Sequence, residues 1–242
     1  MGVVVDEGTG TGSAPARSRG VAIVLFSLAA MLPLAALGFA GRLDWWPAWV
    51  LALIQVGAGV LGRYLVWRRH PDLLQERMAS TRAKDALPGD RMLAGAISLL
   101  GPAVVLAVAG LDERLGWSAN VPLPVQGFGA FLVLAGYAFG TWAMRANRFF
   151  SGVVRLQVER GHTVVDEGPY GLVRHPGYAA ALIVMIGTPL LLDSLWALVP
   201  SMLTAALVVW RTSREDPFLQ ANLPGYPAYR QRTPYRLVPR VW

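Results

Sequence analysis

Six apolar runs limit what this chain can fold into. They cover roughly 21–41, 46–67, 92–110, 124–145, 177–192 and 194–210. A helix needs about 20 apolar residues to cross the hydrocarbon core of a bilayer. The first, second and fourth runs meet that length. The third is slightly short and carries Pro102, and the last two are short and parted by Asp193-Ser194, which reads as a tight helical hairpin. The runs do not alternate with period two, so strands are not expected. The fold class is all-α: a polytopic integral membrane protein of about six transmembrane helices, including a C-terminal hairpin.

Composition supports this. Hydrophobic residues make up 54% of the chain and charged residues 15%, where soluble domains carry about 25%. The placement of charge tests the span count. With Arg17 and Arg19 inside, the short loop at 41–45 is outside with Arg42 and Asp44. The basic loop at 68–91 then falls inside, and the loop at 111–123, with Asp112 and Glu113 against Arg114, outside. The segment at 146–176, with Arg148, Arg155, Arg160 and Arg174, is inside again, the hairpin tip at Asp193 outside, and the tail from Arg211, with five further arginines, inside. Every basic segment lands on one face, as the positive-inside rule requires, and five or seven spans would break that agreement. Both termini are therefore expected on the cytoplasmic side of a bacterial inner membrane. Trp45, Trp46, Trp49, Trp67, Trp117 and Trp196 lie near the ends of the expected spans, as interfacial aromatics do.

Three parts are expected: a disordered tail at 1–19; four spans at 20–145 with an amphipathic cytosolic segment, PDLLQERM, inside the 68–91 loop; and a functional core at 146–242. The net charge of +7 falls between apolar runs, so it reads as topological charge facing an anionic leaflet rather than a nucleic-acid surface. Cysteine is absent and only His70, His162 and His175 are present, which removes disulfides and thiolate chemistry and gives no basis for a metal site. The GTGTG at 8–12 is not a dinucleotide loop, because no strand precedes it.

Two inside segments carry the polar chemistry, 147–178 and 211–242. The topology brings both to one membrane face, so Arg174 and His175 are expected near Arg211, Arg214, Glu215 and Asp216. Pro176 suits the first turn of a helix, where its missing N–H costs nothing. Arg174 and His175 then stand at the positive end of that helix, where free backbone donors favour an anion. Tyr170 and Tyr178 bracket the position. Two readings stand open: a headgroup anchor for the helix, or part of a nucleotide-like site. Arg211 and Glu215 share a helical face by their spacing. The acidic pair Glu215-Asp216 suits either simple ion pairing or the binding of an ammonium group, and Arg211 can clamp a carboxylate.

The pattern Gln157, then HTVV at 162–165, PY at 169–170, HPGY at 175–178, Arg211, Glu215-Asp216, GYPAY at 225–229 and YRLVP at 235–239 resembles the isoprenylcysteine carboxyl methyltransferase family, a relative of the membrane phospholipid N-methyltransferases. The resemblance covers about 145–240. Its departures are Asp216 in place of a second glutamate, Pro217 after it, and a shorter interval between Gln157 and His162. It implies membrane helices with a cytosolic pocket for S-adenosylmethionine, lined by Gln157, His162, Thr163, Val164, Val165, Tyr170, His175, Pro176, Gly177, Tyr178 and Glu215. It also implies that Arg211 faces the methyl acceptor.

Chemistry and resemblance agree on a methyl transfer to a lipid-like or isoprenoid acceptor entering from the bilayer. A carboxylate acceptor is already ionised at neutral pH and needs no base. An amine acceptor must first lose a proton, and His175 is the base at hand. The alternatives are a phospholipid or amine N-methyltransferase and a NADPH-dependent membrane reductase of the sterol type.

Overall fold

A computed structural model describes residues 32–80, 85–118 and 120–242. The expected tail at 1–19 and the first half of the first apolar run lie outside the described residues. Residues 32–40 form helix α1. It is followed by α2 (Trp46–Arg69), α3 (Leu73–Ser80) and α4 (Asp90–Leu115). Then come α5 (Leu123–Ala146), α6 (Pro176–Leu191), α7 (Leu198–Asn222) and α8 (Tyr226–Arg232). No strand occurs among the described residues. Three helices, α2, α4 and α5, are long and apolar enough to cross a membrane, and α6 is a shorter apolar helix. The architecture is that of an all-α integral membrane protein.

Prolines place the helix starts. Pro47, Pro124 and Pro176 fall in the first turns of α2, α5 and α6, where the absent N–H is one the helix leaves unpaired anyway. Two internal prolines have different consequences. Pro102 removes a bond to residue 98, and the preceding turn, Ala96–Leu100, widens into a π-helix closed by Gly101 N–H to the Ala96 carbonyl. With that turn, α4 reaches 26 residues, longer than its apolar run alone suggests. Pro189 similarly frees the Met185 carbonyl, which accepts the Ser201 hydroxyl of α7 at 2.5 Å. The break is thus turned into a crosslink between the two arms of the hairpin.

Glycines let α5 and α6 approach. A methyl group at Gly129 would stand 2.5 Å from Leu191 N, at Gly136 2.9 Å from the Ala180 carbonyl, and at Gly187 2.7 Å from the Gly129 carbonyl. These are clashes, so the seam exists only because the three side chains are missing, the usual device for close packing where lipid supplies no hydrophobic drive. At the end remote from the basic segments, a polar knot closes the bundle. Asp112, 2% exposed, accepts Ser118 N–H at 2.7 Å, the Ser118 hydroxyl at 2.6 Å and the Ser194 hydroxyl at 2.5 Å. The hairpin turn carries Asp193 in the left-handed region (φ 57°), its carboxylate taking Val121 N–H at 2.5 Å.

The sixth apolar run differs from its expected form. Instead of ending near residue 210, α7 continues as one helix to Asn222, so Arg211, Glu215 and Asp216 share a rigid rod with the apolar segment. The amphipathic segment also folds as read, in part: α3 buries Leu73 completely, a burial worth about 1.5–3 kcal/mol.

Candidate functional site

At the basic end, the segment 147–178, the end of α7, α8 and the tail enclose one chamber. Its walls include Phe149, Phe150, His162, Thr163, Val164, Val165, Tyr170, His175, Pro176, Gly177, Tyr178, Glu215, Tyr226 and Tyr229. Tyr170, Tyr226, Tyr229 and Leu223 form one buried cluster with Ala143 of α5, and Phe150 packs against it.

The two carboxylates of the acidic pair do different work. Asp216 is 1% exposed and saturated. Arg174 grips it with Nε at 2.8 Å and Nη2 at 2.9 Å, the Tyr226 hydroxyl donates at 2.8 Å, Arg236 Nε at 3.0 Å, and His175 Nε2 lies at 3.2 Å. Burial alone would raise its pKa; hydrogen bonds from His175, Arg174 and Tyr226 overcome that and hold it well below the usual carboxylate range. Asp216 therefore has no proton to give, and His175 Nε2 carries the hydrogen between them. The same arginine fastens the tail: Arg174 Nη1 donates to the Thr233 and Pro234 carbonyls, and the Arg174 and His175 amides donate to Tyr235 and Arg236 carbonyls at 2.9 and 3.0 Å. The tail is docked along the entrance to α6.

Glu215 is less committed. Its Oε2 accepts the Tyr178 hydroxyl at 2.5 Å, and its Oε1 stands 4.0 Å from His175 Nδ1. Its side chain remains 19% exposed on the chamber wall. A carboxylate with spare lone pairs, beside stacked His175 and Tyr178 rings (centroids 5.7 Å, 15° between planes), has the chemistry to accept hydrogen bonds from an ammonium group. Beside it, the first turn of α6 leaves one backbone donor unpaired, Gly177 N–H, because Pro176 has none and the Tyr178 and Ala179 N–H groups both bond the His175 carbonyl. At Gly177 a methyl group would meet the Phe150 ring at 2.6 Å, so the ring lies directly on that backbone.

The remaining expected residues fall into two groups. Thr163, Val164 and Val165 lie on the chamber wall with His162, whose ring packs on Phe149 at 4.6 Å. Burial, with Arg155 and Arg160 nearby, lowers the His162 pKa to about 4, so the ring is neutral. Gln157 lies behind the wall. It is wholly buried, its amide donating to the Phe149 carbonyl at 2.7 Å and accepting from Arg160, and it shapes the 147–162 loop rather than lining the chamber. Arg211 is likewise turned from the chamber. Its Nε and Nη2 each meet Asp90 at 2.8 Å, Nη2 also meets the Gly152 carbonyl at 2.9 Å, and its guanidinium lies 5.3 Å from the Tyr178 ring centre. It clamps α7 to the start of α4, and Asp90 in turn accepts Val154 N–H at 2.7 Å.

Asp90, Phe149, Phe150 and Asn147 were not among the expected site residues. The NRFF tetrapeptide directly after α5 was the available sign for three of them, since adjacent rings at a span end serve either an interface or a pocket. Asn147 donates to the Tyr170 hydroxyl at 3.1 Å and fixes that ring in the wall.

Residues 125–224, from α5 to the end of α7, match the phospholipid methyltransferase family. A protein-S-isoprenylcysteine O-methyltransferase B of Arabidopsis thaliana is 31% identical over 118 residues, 46% of this chain and 57% of that protein. A protein-S-isoprenylcysteine O-methyltransferase of Schizosaccharomyces pombe is 31% identical over 110 residues, 43% of this chain and 45% of that protein. The chain is similar to members of the isoprenylcysteine carboxyl methyltransferase family over less than half of its length. It spans about half the length of these curated relatives. The cobalt-zinc-cadmium resistance protein CzcN of Cupriavidus metallidurans is also similar, 36% identical over 76 residues, 31% of this chain and 35% of that protein. The region shared with the family holds His175, Tyr178 and Glu215, the three side chains that meet on the chamber wall.

Proposed function

We propose that this chain is a membrane methyltransferase that uses S-adenosylmethionine to methylate the carboxylate of a lipid-like or isoprenoid acceptor. The observation that carries the reading is the position of Glu215: a carboxylate with spare lone pairs on an aromatic wall, next to the helix start that leaves Gly177 N–H unpaired, in a chamber that adjoins an apolar crevice.

The donor set fits the cofactor. Glu215 would take its amino group, the first turn of α6 at Gly177 its carboxylate, and the walls at His162–Val165, Tyr170 and Tyr178 its adenosine. When bound, the cofactor would supply an activated methyl group on a sulfonium sulfur, with the neutral thioether as its leaving group. A carboxylate oxygen has no proton to lose, and the residues' task is reduced to orientation and exclusion of water. His175 is a positioning residue in this scheme: Asp216 orients the ring, and the ring supports Tyr178 and Glu215.

One observation weighs against the reductase alternative. A phosphate-rich nicotinamide cofactor needs cationic clamps. The arginines on the chamber wall are already spent, Arg174 on Asp216 and Arg155 on Glu76, Asp85 and Glu159. The basic end is assigned to the cytoplasm of an inner membrane by its arginines.

The test is transfer of a labelled methyl group from S-adenosylmethionine to a farnesyl thioether carboxylic acid by the full chain in nanodiscs. The reading predicts a product that releases methanol in alkali. A labelled product stable to alkali, or labelling of an aminolipid only, would contradict it.

A further inference from the structure

Behind the chamber lies a second, larger cavity of about 520 Å³ between α2, α4, α5, α6 and α7, within the ~300–1,000 Å³ of ordinary ligand sites. Its walls are mostly apolar or small: Leu51, Val56, Val105, Gly136, Ala181 and Val184 are among them. The π-turn of α4 contributes Ile97 and Ser98, so the widened turn forms part of this wall. The two cavities share two residues, Phe150 and Gly177. The Phe150 ring, resting on the Gly177 backbone, is the partition between them.

One charged group stands at that partition on the apolar side. Arg77 of α3 lies in the wall of the large cavity, its guanidinium carbon 4.9 Å from the Phe150 ring centre. Its Nη1 is buried and has no hydrogen-bond partner. No carboxylate pairs with Arg77 among the described residues, and its neighbour Glu76 is turned away onto Arg155 at 2.6 Å. The other arginine of the cavity wall, Arg63, sends Nη1 to the Gly59 carbonyl at 3.2 Å. Burial, with Arg63 and Arg211 adding positive charge, lowers the Arg77 pKa to about 10. An enclosed guanidinium with an empty donor is costly unless an anion meets it.

We propose that Arg77 recognises the carboxylate of the acceptor, while the acceptor's hydrocarbon chain lies in the large cavity. This deepens the function proposed above and rests on it. It also reassigns the carboxylate clamp from Arg211, whose Nε and Nη2 are committed to Asp90 and the Gly152 carbonyl, to a residue of α3. The positions fit one another. The head of a chain lying in the cavity comes to the partition, Arg77 holds it by charge, and Phe150 and Gly177, which line both cavities, stand between it and the chamber. An ammonium head would meet Arg77 with like charge, so the same residue selects acid lipids over aminolipids.

The test uses the full chain in nanodiscs and reads binding, not turnover. The probes are a radiolabelled farnesyl thioether carboxylic acid and its uncharged primary amide, with S-adenosylhomocysteine binding measured in parallel. Wild type is expected to prefer the acid over the amide by about tenfold or more, the factor that a hydrogen bond to a charged group carries. Arg77→Met is expected to abolish that preference by weakening acid binding alone. Arg77→Lys is expected to restore part of it, and S-adenosylhomocysteine affinity is expected to stay within about twofold in both variants. Retention of the full acid preference in Arg77→Met would overturn the assignment. So would its loss in Arg211→Met with Arg77 intact, which would return the clamp to Arg211. Failure of wild type to bind S-adenosylhomocysteine would instead remove the methyltransferase reading, and the acid-to-amide ratio would still decide the role of Arg77.

Discussion

Tyr178 donates its hydroxyl proton to Glu215 across 2.5 Å, joining the first turn of α6 to the C-terminal half of α7. Tyr178 also stacks on His175 and lies under the Arg211 guanidinium. One ring therefore gathers the entrance to α6, the candidate cofactor carboxylate and the clamp to α4. The neighbouring Asp216 anchors the same junction from behind. The pair divides its labour: Asp216 holds structure and Glu215 faces the chamber.

That division predicts different phenotypes for adjacent carboxylates. Asp216→Asn leaves Arg174 and Arg236 short of their anion in a buried place, where breaking a pair costs about 3–5 kcal/mol. The expected result is a lower melting temperature in detergent and faster amide exchange at Arg174, His175 and the docked tail. Unchanged protection there would show that Asp216 does not hold the tail.

The Asp90–Arg211 clamp predicts coupling between α4 and α7. Asp90→Asn and Arg211→Met each leave a buried charge without its partner, and the double variant removes both. The double variant is expected to be more stable than the sum of the single losses implies, by about 1 kcal/mol or more. Strict additivity in chemical denaturation would dismiss the clamp.

How much of this was legible in the sequence follows from the range of each contact. Pro176, Tyr178 and Glu215 were readable because a proline at a span start and an acidic pair at a span end are local signs, and the hairpin forces them together. The Asp90–Arg211 clamp was not, since the partners are 121 residues apart and Asp90 sits in what reads as an ordinary charged loop. The arginine therefore looked available to an acceptor. Arg77 was hidden for a similar reason: PDLLQERM has the pattern of a surface helix, and nothing local says that one arginine turns inward. The π-turn before Pro102 is a backbone response to packing and a missing N–H, which leaves no residue pattern of its own. Helix ends were read less well than helix identities, as α7 shows, because charged residues mark the end of the apolar run and not the end of the helix.

The glycine seam predicts a position-specific cost. Gly136→Leu pushes a side chain into Val184 and the Ala180 carbonyl and is expected to destabilise the protein by about 1–3 kcal/mol or more. Gly127→Ala, where nothing lies within 4 Å of the new methyl group, is expected to be neutral or slightly stabilising. Equal melting temperatures for the two variants would contradict the close α5–α6 contact.

His162 predicts an acid-dependent loss of stability. Its folded pKa of about 4 lies below the unfolded value of 6.5, so the unfolded chain binds the extra proton first. The contribution is complete above about pH 6.5 and is lost as pH falls towards 4, with a slope of at most about 1.4 kcal/mol per pH unit. His162→Gln is expected to flatten the melting-temperature profile across that window relative to wild type. Identical profiles would mean that the ring titrates in the folded protein as it does in water.

The central claim is that Glu215 and the start of α6 together line a chamber for a sulfonium nucleoside. The most direct measurement is calorimetric binding of S-adenosylhomocysteine, with NADPH as the comparison, to wild type and to Glu215→Gln, which keeps the shape and an acceptor for Tyr178. The account predicts that wild type binds S-adenosylhomocysteine and not NADPH, and that Glu215→Gln loses about tenfold or more of that affinity at unchanged melting temperature. Undiminished binding in Glu215→Gln, or a preference for NADPH, would contradict it.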